Sequence, residues 1–153
     1  MKTADATESD TRSFYEISTD PARFDIEAIH AYLTRSYWSP GIPLVTVKQA
    51  VRNSLCFGVY EKSTGAQVGF ARVVTDQATF AYLCDVYVLE AHRGHGLGKR
   101  LMREVMAHPA LTGARRIMLA TRDAHGLYRQ SGFTEAGREG NLMELVRADM
   151  YRA

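Results

Sequence analysis

A glycine-rich turn between two apolar runs is the part of the sequence whose residue types and spacing could most directly do chemistry. Glycines occupy positions 94, 96 and 98, after a strand-like run that ends near Val88 and at the start of a helix-like run from Leu97. Glycine allows a tight turn whose backbone N–H groups stay exposed, because no Cβ covers them. Such donors at the positive end of a helix bind anions, and Lys99 and Arg100 add positive charge beside them. The segment therefore predicts a diphosphate site, the alternative being a turn that binds nothing.

The spacing of the glycines excludes two other phosphate loops. A dinucleotide-binding GxGxxG would need a glycine at position 99 or 101, where the chain has Lys99 and Leu101. A Walker loop would need Ser or Thr at the position of Arg100 and a glycine at that of Arg93. What remains is Arg-x-x-Gly-x-Gly between a strand and a helix.

This remaining pattern resembles the signature of the GCN5-related N-acetyltransferase (GNAT) superfamily. The signature is Gln/Arg-x-x-Gly-x-Gly/Ala, and Arg93, Gly96 and Gly98 match it. The resemblance implies an N-acetyltransferase that uses acetyl-CoA as its cosubstrate and needs no metal.

A second block extends the resemblance toward the C-terminus. The family tends to show Asn-x-x-Ala-x-x-x-Tyr running into Gly-Phe, which Ala124, Tyr128 and Gly132-Phe133 match. Thr121 stands where the asparagine usually is, which weakens any role given to that position. Two blocks in the right order are more specific than a glycine turn alone.

By similarity, one stretch of strand and one turn are expected to bind coenzyme A. The backbone of Val86, Tyr87 and Val88 should hydrogen-bond the pantetheine arm, and an N–H near Val86 should donate to the thioester carbonyl, where charge develops. The pyrophosphate should lie on the N–H groups of the turn, which comprises Arg93, Gly94, His95, Gly96, Leu97, Gly98 and Lys99.

Tyr128 matches the tyrosine that approaches the cofactor sulfur in the family. A phenol with a pKa of about 10 can donate to a leaving thiolate with a pKa of about 8.5. The resemblance thus gives Tyr128 a catalytic and a cofactor-binding role, and the alternative is a tyrosine that only packs the helix.

Asp85 is a carboxylate inside an otherwise apolar run, where such groups are rare unless paired or functional. The run resembles the acidic strand of polyamine-type acetyltransferases, although Cys84 occupies its first acidic position. Asp85 could orient a cationic amine or take its proton through water. Equally, it could cap a bulge or pair with an arginine such as Arg72.

The acceptor is expected to be a primary amine, with a small or polyamine-like molecule favoured, that attacks directly in a ternary complex. Neither cysteine has a recognisable activating neighbour, which favours direct attack. Two alternatives stay open, namely a protein N-terminus or lysine as acceptor and a CoA-binding sensor without turnover. The pocket wall is expected to include Tyr37, Trp38, Tyr82 and Asp85.

Apolar periodicity and turn residues predict the elements that position these groups. Strands are expected at residues 13–18, 55–61, 67–75, 79–89 and 116–121, with a final pair between residues 133 and 146. Helices are expected from Asp20-Pro21 to about Tyr37 and at residues 45–53, 97–107 and 124–131. This order predicts an α/β (α+β) GNAT fold, with a mixed, mostly antiparallel central sheet of about seven strands and helices on both faces.

Length and composition bound the remaining expectations. The 153 residues suit a single domain, 1–153, with a polar and flexible start over residues 1–11. A net charge of +2 gives no case for nucleic acid, and no run approaches the ~20 apolar residues of a membrane span. The two cysteines form no zinc or disulfide pattern, which favours a reducing cytoplasm. A homodimer is left open.

Overall fold

The protein is described by a computed structural model that covers residues 11–137 and 140–152, so the start predicted to be flexible lies, except for Thr11, outside the described residues. Five strands form one sheet in the order β1-β2-β3-β4-β5. Neighbouring strands are antiparallel except for β4 and β5, which run parallel. The strands are β1 (Tyr15–Ser18), β2 (Leu55–Glu61), β3 (Gln67–Thr75), β4 (Phe80–Val88) and β5 (Arg116–Leu119).

Helices cover both faces of this sheet, as predicted. They are α1 (Ile26–Leu33), α2 (Leu44–Arg52), α3 (Leu97–Ala107) and α4 (His125–Arg129). One core joins α1 and α2 to side chains such as Phe70 and Tyr87, and the other joins α3 to side chains such as Phe57 and Leu83. Side chains alternate between the two faces along a strand, so neighbours such as Cys56 and Phe57 enter different cores.

The first helix and the first strand are shorter than predicted. Asp20 caps only a 3-10 turn (Pro21–Arg23), and α1 starts after a second cap, in which Asp25 accepts from the N–H of Ala28 at 3.0 Å. Residues 11–14 are helical, so β1 begins at Tyr15 rather than at position 13. A second capping aspartate five residues after the first therefore sets the start of the helix.

Strand β4 contains a bulge that the sequence did not reveal. The pairing with β3 steps from Arg72↔Cys84 to Phe70↔Tyr87, so Asp85 and Val86 stand opposite a single residue. Beyond Leu83, β4 also leaves β5, because their pairing ends at Leu83↔Leu119. The second half of β4 therefore borders a gap in the sheet.

The predicted final strand pair is wrong: the described residues between 133 and 146 form turns and irregular backbone, and the sheet has five strands instead of seven. Gly137 and Gly140 have φ of +66° and +83°, a left-handed conformation that interrupts an extended strand. The apolar side chains that suggested a strand remain exposed, and they are Leu142, Met143, Leu145 and Val146. None of the described helices has the length and hydropathy needed to cross a membrane.

Candidate functional site

One groove of about 1230 Å³ gathers every site residue that the sequence predicted. It runs from the glycine turn, along the bulged half of β4, to Tyr128 and the loop after α1. Its residues come from distant parts of the chain, for example Tyr37 and Tyr128, which are 91 positions apart. The fold therefore brings the predicted cofactor and acceptor residues into one continuous space.

The glycine turn presents backbone donors at the start of α3. Gly94 and Gly96 have φ of +84° and +75°, and Gly96 is the N-cap residue, so no side chain caps the helix. The first helical bond runs from the N–H of Arg100 to the carbonyl of Gly96 at 3.1 Å. The preceding N–H groups of the first turn have no acceptor within the helix. A Cβ added at Gly94 would meet nothing within 4 Å, so the backbone is open to an approaching anion.

Side chains of this turn and of the start of α3 hold the segment against other elements of the fold. The Nε of Arg93 donates to the carbonyl of Val88 at 2.9 Å and its Nη2 to the hydroxyl of Tyr32 at 3.2 Å, so Arg93 braces the turn against β4 and α1. Leu97 points into the core, where it is 2% exposed, and only its backbone borders the groove. Arg100 donates to the carbonyls of Thr11 and Tyr15. Lys99 and Arg100 were both predicted beside the phosphate site. Of these two, Arg100 also links α3 to the chain at Thr11 and Tyr15.

Val86, Tyr87 and Val88 are the last three residues of β4, and their side chains are buried to different degrees. Tyr87 is buried in the core and stacks on Tyr32, with ring centroids 3.9 Å apart. Val86 and Val88 are half-buried beside the groove. Because the pairing of β4 with β5 ends at Leu83↔Leu119, the edge of β4 at Val86 and Val88 has no partner strand among the described residues on that side. An extended ligand can therefore lie along it.

Tyr128 lies in α4 and is 8% exposed. Burial raises its pKa, and the nearby Tyr37 and Asp123 raise it further. Its ring meets Phe133 edge-on at 6.0 Å, and the N–H of Phe133 donates to its carbonyl at 3.2 Å. The Gly132-Phe133 pair thus fixes the helix that aims the phenol into the groove.

Thr121 performs a local task despite its departure from the family pattern. Its Oγ1 accepts from the N–H of Ala124 at 3.0 Å, which closes the turn that leads into α4. A threonine hydroxyl can make this bond as an asparagine side chain would. The position therefore supports the helix of Tyr128.

Asp85 lies at the bulge with its side chain turned toward Arg72 and Trp38. Arg72 Nε donates to its Oδ2 at 2.7 Å, and Trp38 Nε1 donates to its Oδ1 at 2.9 Å. The pairing with Arg72, one of the two alternatives from the sequence, is present. A role in proton transfer stays a prediction.

Aromatic rings form the wall of the groove opposite the turn. Tyr37 meets Trp38 edge-on at 5.0 Å, and Tyr82 lies nearby on β4 with 37% of its surface exposed. The sequence analysis did not assign two further residues of this wall, Tyr32 and Arg122. Tyr32 joins Trp38 to β4, and the guanidinium carbon of Arg122 lies 3.8 Å above the Tyr37 ring. The apolar spacing of α1 could have pointed to Tyr32, whereas no local pattern places Arg122 on Tyr37.

The described residues hold no cluster of three or more His, Cys, Asp or Glu side chains that could bind a metal ion. The groove combines a glycine turn at a helix start with aromatic walls.

Comparison with protein families gives one match, to the family model described as Acetyltransferase (GNAT) family, over residues 10–133. The match includes the glycine turn, the bulge and Tyr128 with its Gly-Phe pair. It also includes the loop that carries Tyr37 and Trp38.

Similar proteins agree with this match. A protein of Gibberella zeae named "Putative acetyltransferase FG08082" is 37% identical over 139 residues, which covers 77% of this chain and 77% of that protein. The crystal structure of a GNAT-family protein, xcc2953 from Xanthomonas campestris pv. campestris, is 49% identical with a TM-score of 0.86, and it covers 91% of this chain and 97% of its own. Rv2747 from Mycobacterium tuberculosis, solved with CoA and NLQ, shares the fold at 21% identity and a TM-score of 0.64, over 80% of this chain and 73% of that one.

Proposed function

The chain belongs to the acetyltransferase (GNAT) family, and on that premise we propose that it moves an acetyl group from acetyl-CoA to a small primary amine. The observation that carries the proposal is the continuous groove. The glycine turn, the bulged half of β4, Tyr128 and the aromatic wall all line it, and their chemistry suits a diphosphate, an extended arm, a thioester and an amine respectively.

The residues present fit acetyl-CoA. The open N–H groups at the start of α3 and the exposed Lys99 suit a diphosphate, and the edge of β4 near Val86, beyond the end of its pairing with β5, suits the amide groups of a pantetheine arm. Rv2747, which shares the fold, binds CoA. When bound, the cosubstrate supplies an acetyl group activated as a thioester.

The chain's own groups would then divide the work of the transfer. A backbone N–H at the bulge, near Val86, donates to the acetyl carbonyl, where negative charge grows. Tyr128, whose raised pKa keeps its phenol protonated at neutral pH, donates to the departing thiolate, and the proton that the attacking amine loses passes to solvent water, from which the phenol is restored. The aromatic wall holds the amine close to the carbonyl carbon.

Direct attack in a ternary complex is favoured over an acyl-cysteine route. Cys84 lines the groove, but burial raises the pKa of its thiol to about 12, with a smaller contribution from Asp85. The thiolate is the nucleophilic form, and very little of it exists at neutral pH under these conditions. Cys56 is buried in the core, where its pKa is likewise raised to about 12.

A panel of amines tests the proposal. Purified protein is mixed with acetyl-CoA and, in turn, with monoamines, polyamines, amino acids, a peptide with a free N-terminus and a lysine peptide, and free CoA is detected with a thiol reagent. We expect CoA release above the hydrolysis background with a small amine. Release with the peptides alone would replace the small acceptor by a protein one. Tight acetyl-CoA binding without release for any amine would make the chain a sensor and overturn the proposal.

A further inference from the structure

Asp85 has a backbone conformation that residues other than glycine rarely adopt. Its φ is +54°, and with Gln77 it is one of the two non-glycine residues at positive φ in the described part of the chain. The conformation creates the bulge, since Asp85 and Val86 together face one residue of β3. Aspartate enters this region more readily than most residues, but glycine would do so without cost. The carboxylate therefore has a use that glycine could not supply.

Two donors from different elements hold that carboxylate. Arg72 of β3 and Trp38 of the loop after α1 each bond one of its oxygens, at 2.7 and 2.9 Å, and the Asp85 side chain is only 7% exposed. Arg72 in turn donates to Ser54 Oγ at 3.2 Å. Without this carboxylate the mostly buried guanidinium of Arg72 would lack its counter-charge, which is costly. A carboxylate in this setting is better suited to holding neighbours in place than to exchanging protons with an amine.

The Trp38 end of this tie leads into the acceptor wall. Trp38 contacts Tyr37 edge-on at 5.0 Å and Tyr32 at 6.2 Å, and Tyr32 stacks on Tyr87 of β4 at 3.9 Å with an interplanar angle of 9°. Trp38 is thus attached to β4 twice, by its bond to Asp85 and through the Tyr32 stack. Tyr37 is held from its other side by Arg122, whose guanidinium lies over its ring. The position of Tyr37 over the groove therefore depends on the tie from Asp85 to Trp38.

We propose that Asp85 is a positioning residue for the acceptor: it fixes the bulge of β4 and, through Trp38, the aromatic wall in one geometry, and it does not accept the proton of the amine. The proposal rests on the proposed function for its kinetic consequences. Its structural core, the tie between Asp85 and Trp38, can be tested without any substrate.

The substrate-free test uses Trp38 as a reporter, because it is the single tryptophan of the chain. Asp85→Gly keeps a residue that adopts φ of +54° freely and removes both bonds. Gln77→Gly is the matched control, since Gln77 has φ of +61° and lies in the exposed β3–β4 turn outside the groove. We expect red-shifted emission and greater acrylamide quenching in Asp85→Gly alone. Unchanged emission and quenching in Asp85→Gly would overturn the tie, even if no acceptor were known.

The kinetic test separates positioning from proton transfer. In Asp85→Gly and in Trp38→Phe, the KM for the amine should rise about tenfold, as for the loss of a bond to a charged group, while kcat and acetyl-CoA affinity change little. The double variant should be no worse than the worse single one, because both break the same tie. The pH profile of kcat should keep its shape. A collapse of kcat with a lost acid limb in Asp85→Gly, beside a normal Trp38→Phe, would make Asp85 the proton acceptor and sink the proposal.

Asp85→Asn guards against a folding defect in the glycine variant. Its amide oxygen can still accept from Trp38, whereas the ion pair with Arg72 is lost. We expect near-normal Trp38 emission and a smaller rise in KM than in Asp85→Gly. Emission as shifted as in the glycine variant would show that the bond between position 85 and Trp38 does not by itself hold the indole, which contradicts the proposed tie.

Discussion

The phenol of Tyr128 sits in surroundings that keep its proton available. Burial is the main reason for its raised pKa, and Tyr37 and Asp123 add to it. A phenol that stays protonated through neutral pH can donate to a leaving thiolate over the whole working range. The same burial would also suit a packing residue, so the hydroxyl itself has to be removed to separate the two roles.

Tyr128→Phe should therefore lower kcat by about 100-fold, the scale of one general acid, with little change in acetyl-CoA affinity. Tyr60→Phe is the matched control. Tyr60 is buried and its hydroxyl has no hydrogen-bond partner among the described residues, so its loss should leave kcat unchanged and stability unchanged or slightly higher. Steady-state rates and acetyl-CoA titration measure both variants. Turnover in Tyr128→Phe equal to that of Tyr60→Phe would remove Tyr128 from the chemistry.

The raised thiol pKa of Cys84 makes a second residue-level prediction. Cys84→Ala should keep kcat within about threefold, because a thiol with a pKa of about 12 is hardly ionised at neutral pH. The native protein should also react slowly with a disulfide reagent and rapidly once it is unfolded. An acetylated Cys84 in the mass spectrum of the enzyme mixed with acetyl-CoA, together with an inactive alanine variant, would instead establish a covalent route.

At the scale of elements, the proposed function assigns binding of the diphosphate to the start of α3. Gly96 precedes the helix with φ of +75°, so a residue with a side chain is strained there. The turn is short because β4 ends at Val88 and α3 begins at Leu97.

Gly96→Glu should weaken acetyl-CoA binding by about 100-fold or more, because the carboxylate fills and repels the anion site. Gly65→Glu separates this effect from backbone strain. Gly65 has a nearly equal φ of +74° in the β2–β3 turn, and a Cβ there meets nothing within 4 Å. Calorimetric titration should show normal affinity in Gly65→Glu with a similar loss of stability. Equal affinities in the two variants would refute the phosphate cradle.

The elements that the sequence predicted well are those whose pattern is local. The apolar runs of β2 and β3 and the helical spacing of α3 gave bounds that the structure confirms. The start of α1 was missed because Asp20 and Asp25 both carry capping signals, and the sequence alone does not select between them.

Residues of the candidate groove could be named from the sequence where a family pattern covers them. The bond from Trp38 to Asp85 joins positions 47 residues apart, and no local signal announces it.

Across the whole molecule, ionised carboxylates support the fold at separate places. Asp76 in the β3–β4 turn accepts from the hydroxyl and N–H of Thr79 and from the N–H groups of Ala78 and Phe80, which lowers its pKa. Ion pairs with arginines lower the pKa of Glu16 on β1 and of Glu135 after α4. These groups bind protons more weakly in the folded chain than in the unfolded one.

The sign of the resulting pH dependence follows from this difference. A carboxylate with a lowered folded pKa stabilises the fold fully above its unfolded pKa, near 3.8 for Asp76 and 4.5 for the two glutamates, and that contribution is lost as the pH falls further. The Tm should therefore be flat from neutral pH down to the region above 4.5 and then decline.

Asp76→Asn keeps an acceptor oxygen but no titrating group, so the decline of its Tm should be shallower. Asp149→Asn removes an exposed carboxylate from a surface pair with Arg152 and should follow the parent chain. Thermal unfolding of the three proteins between pH 7 and pH 3 measures this, and parallel curves for Asp76→Asn and the parent chain would show that the β3–β4 turn does not contribute to acid unfolding.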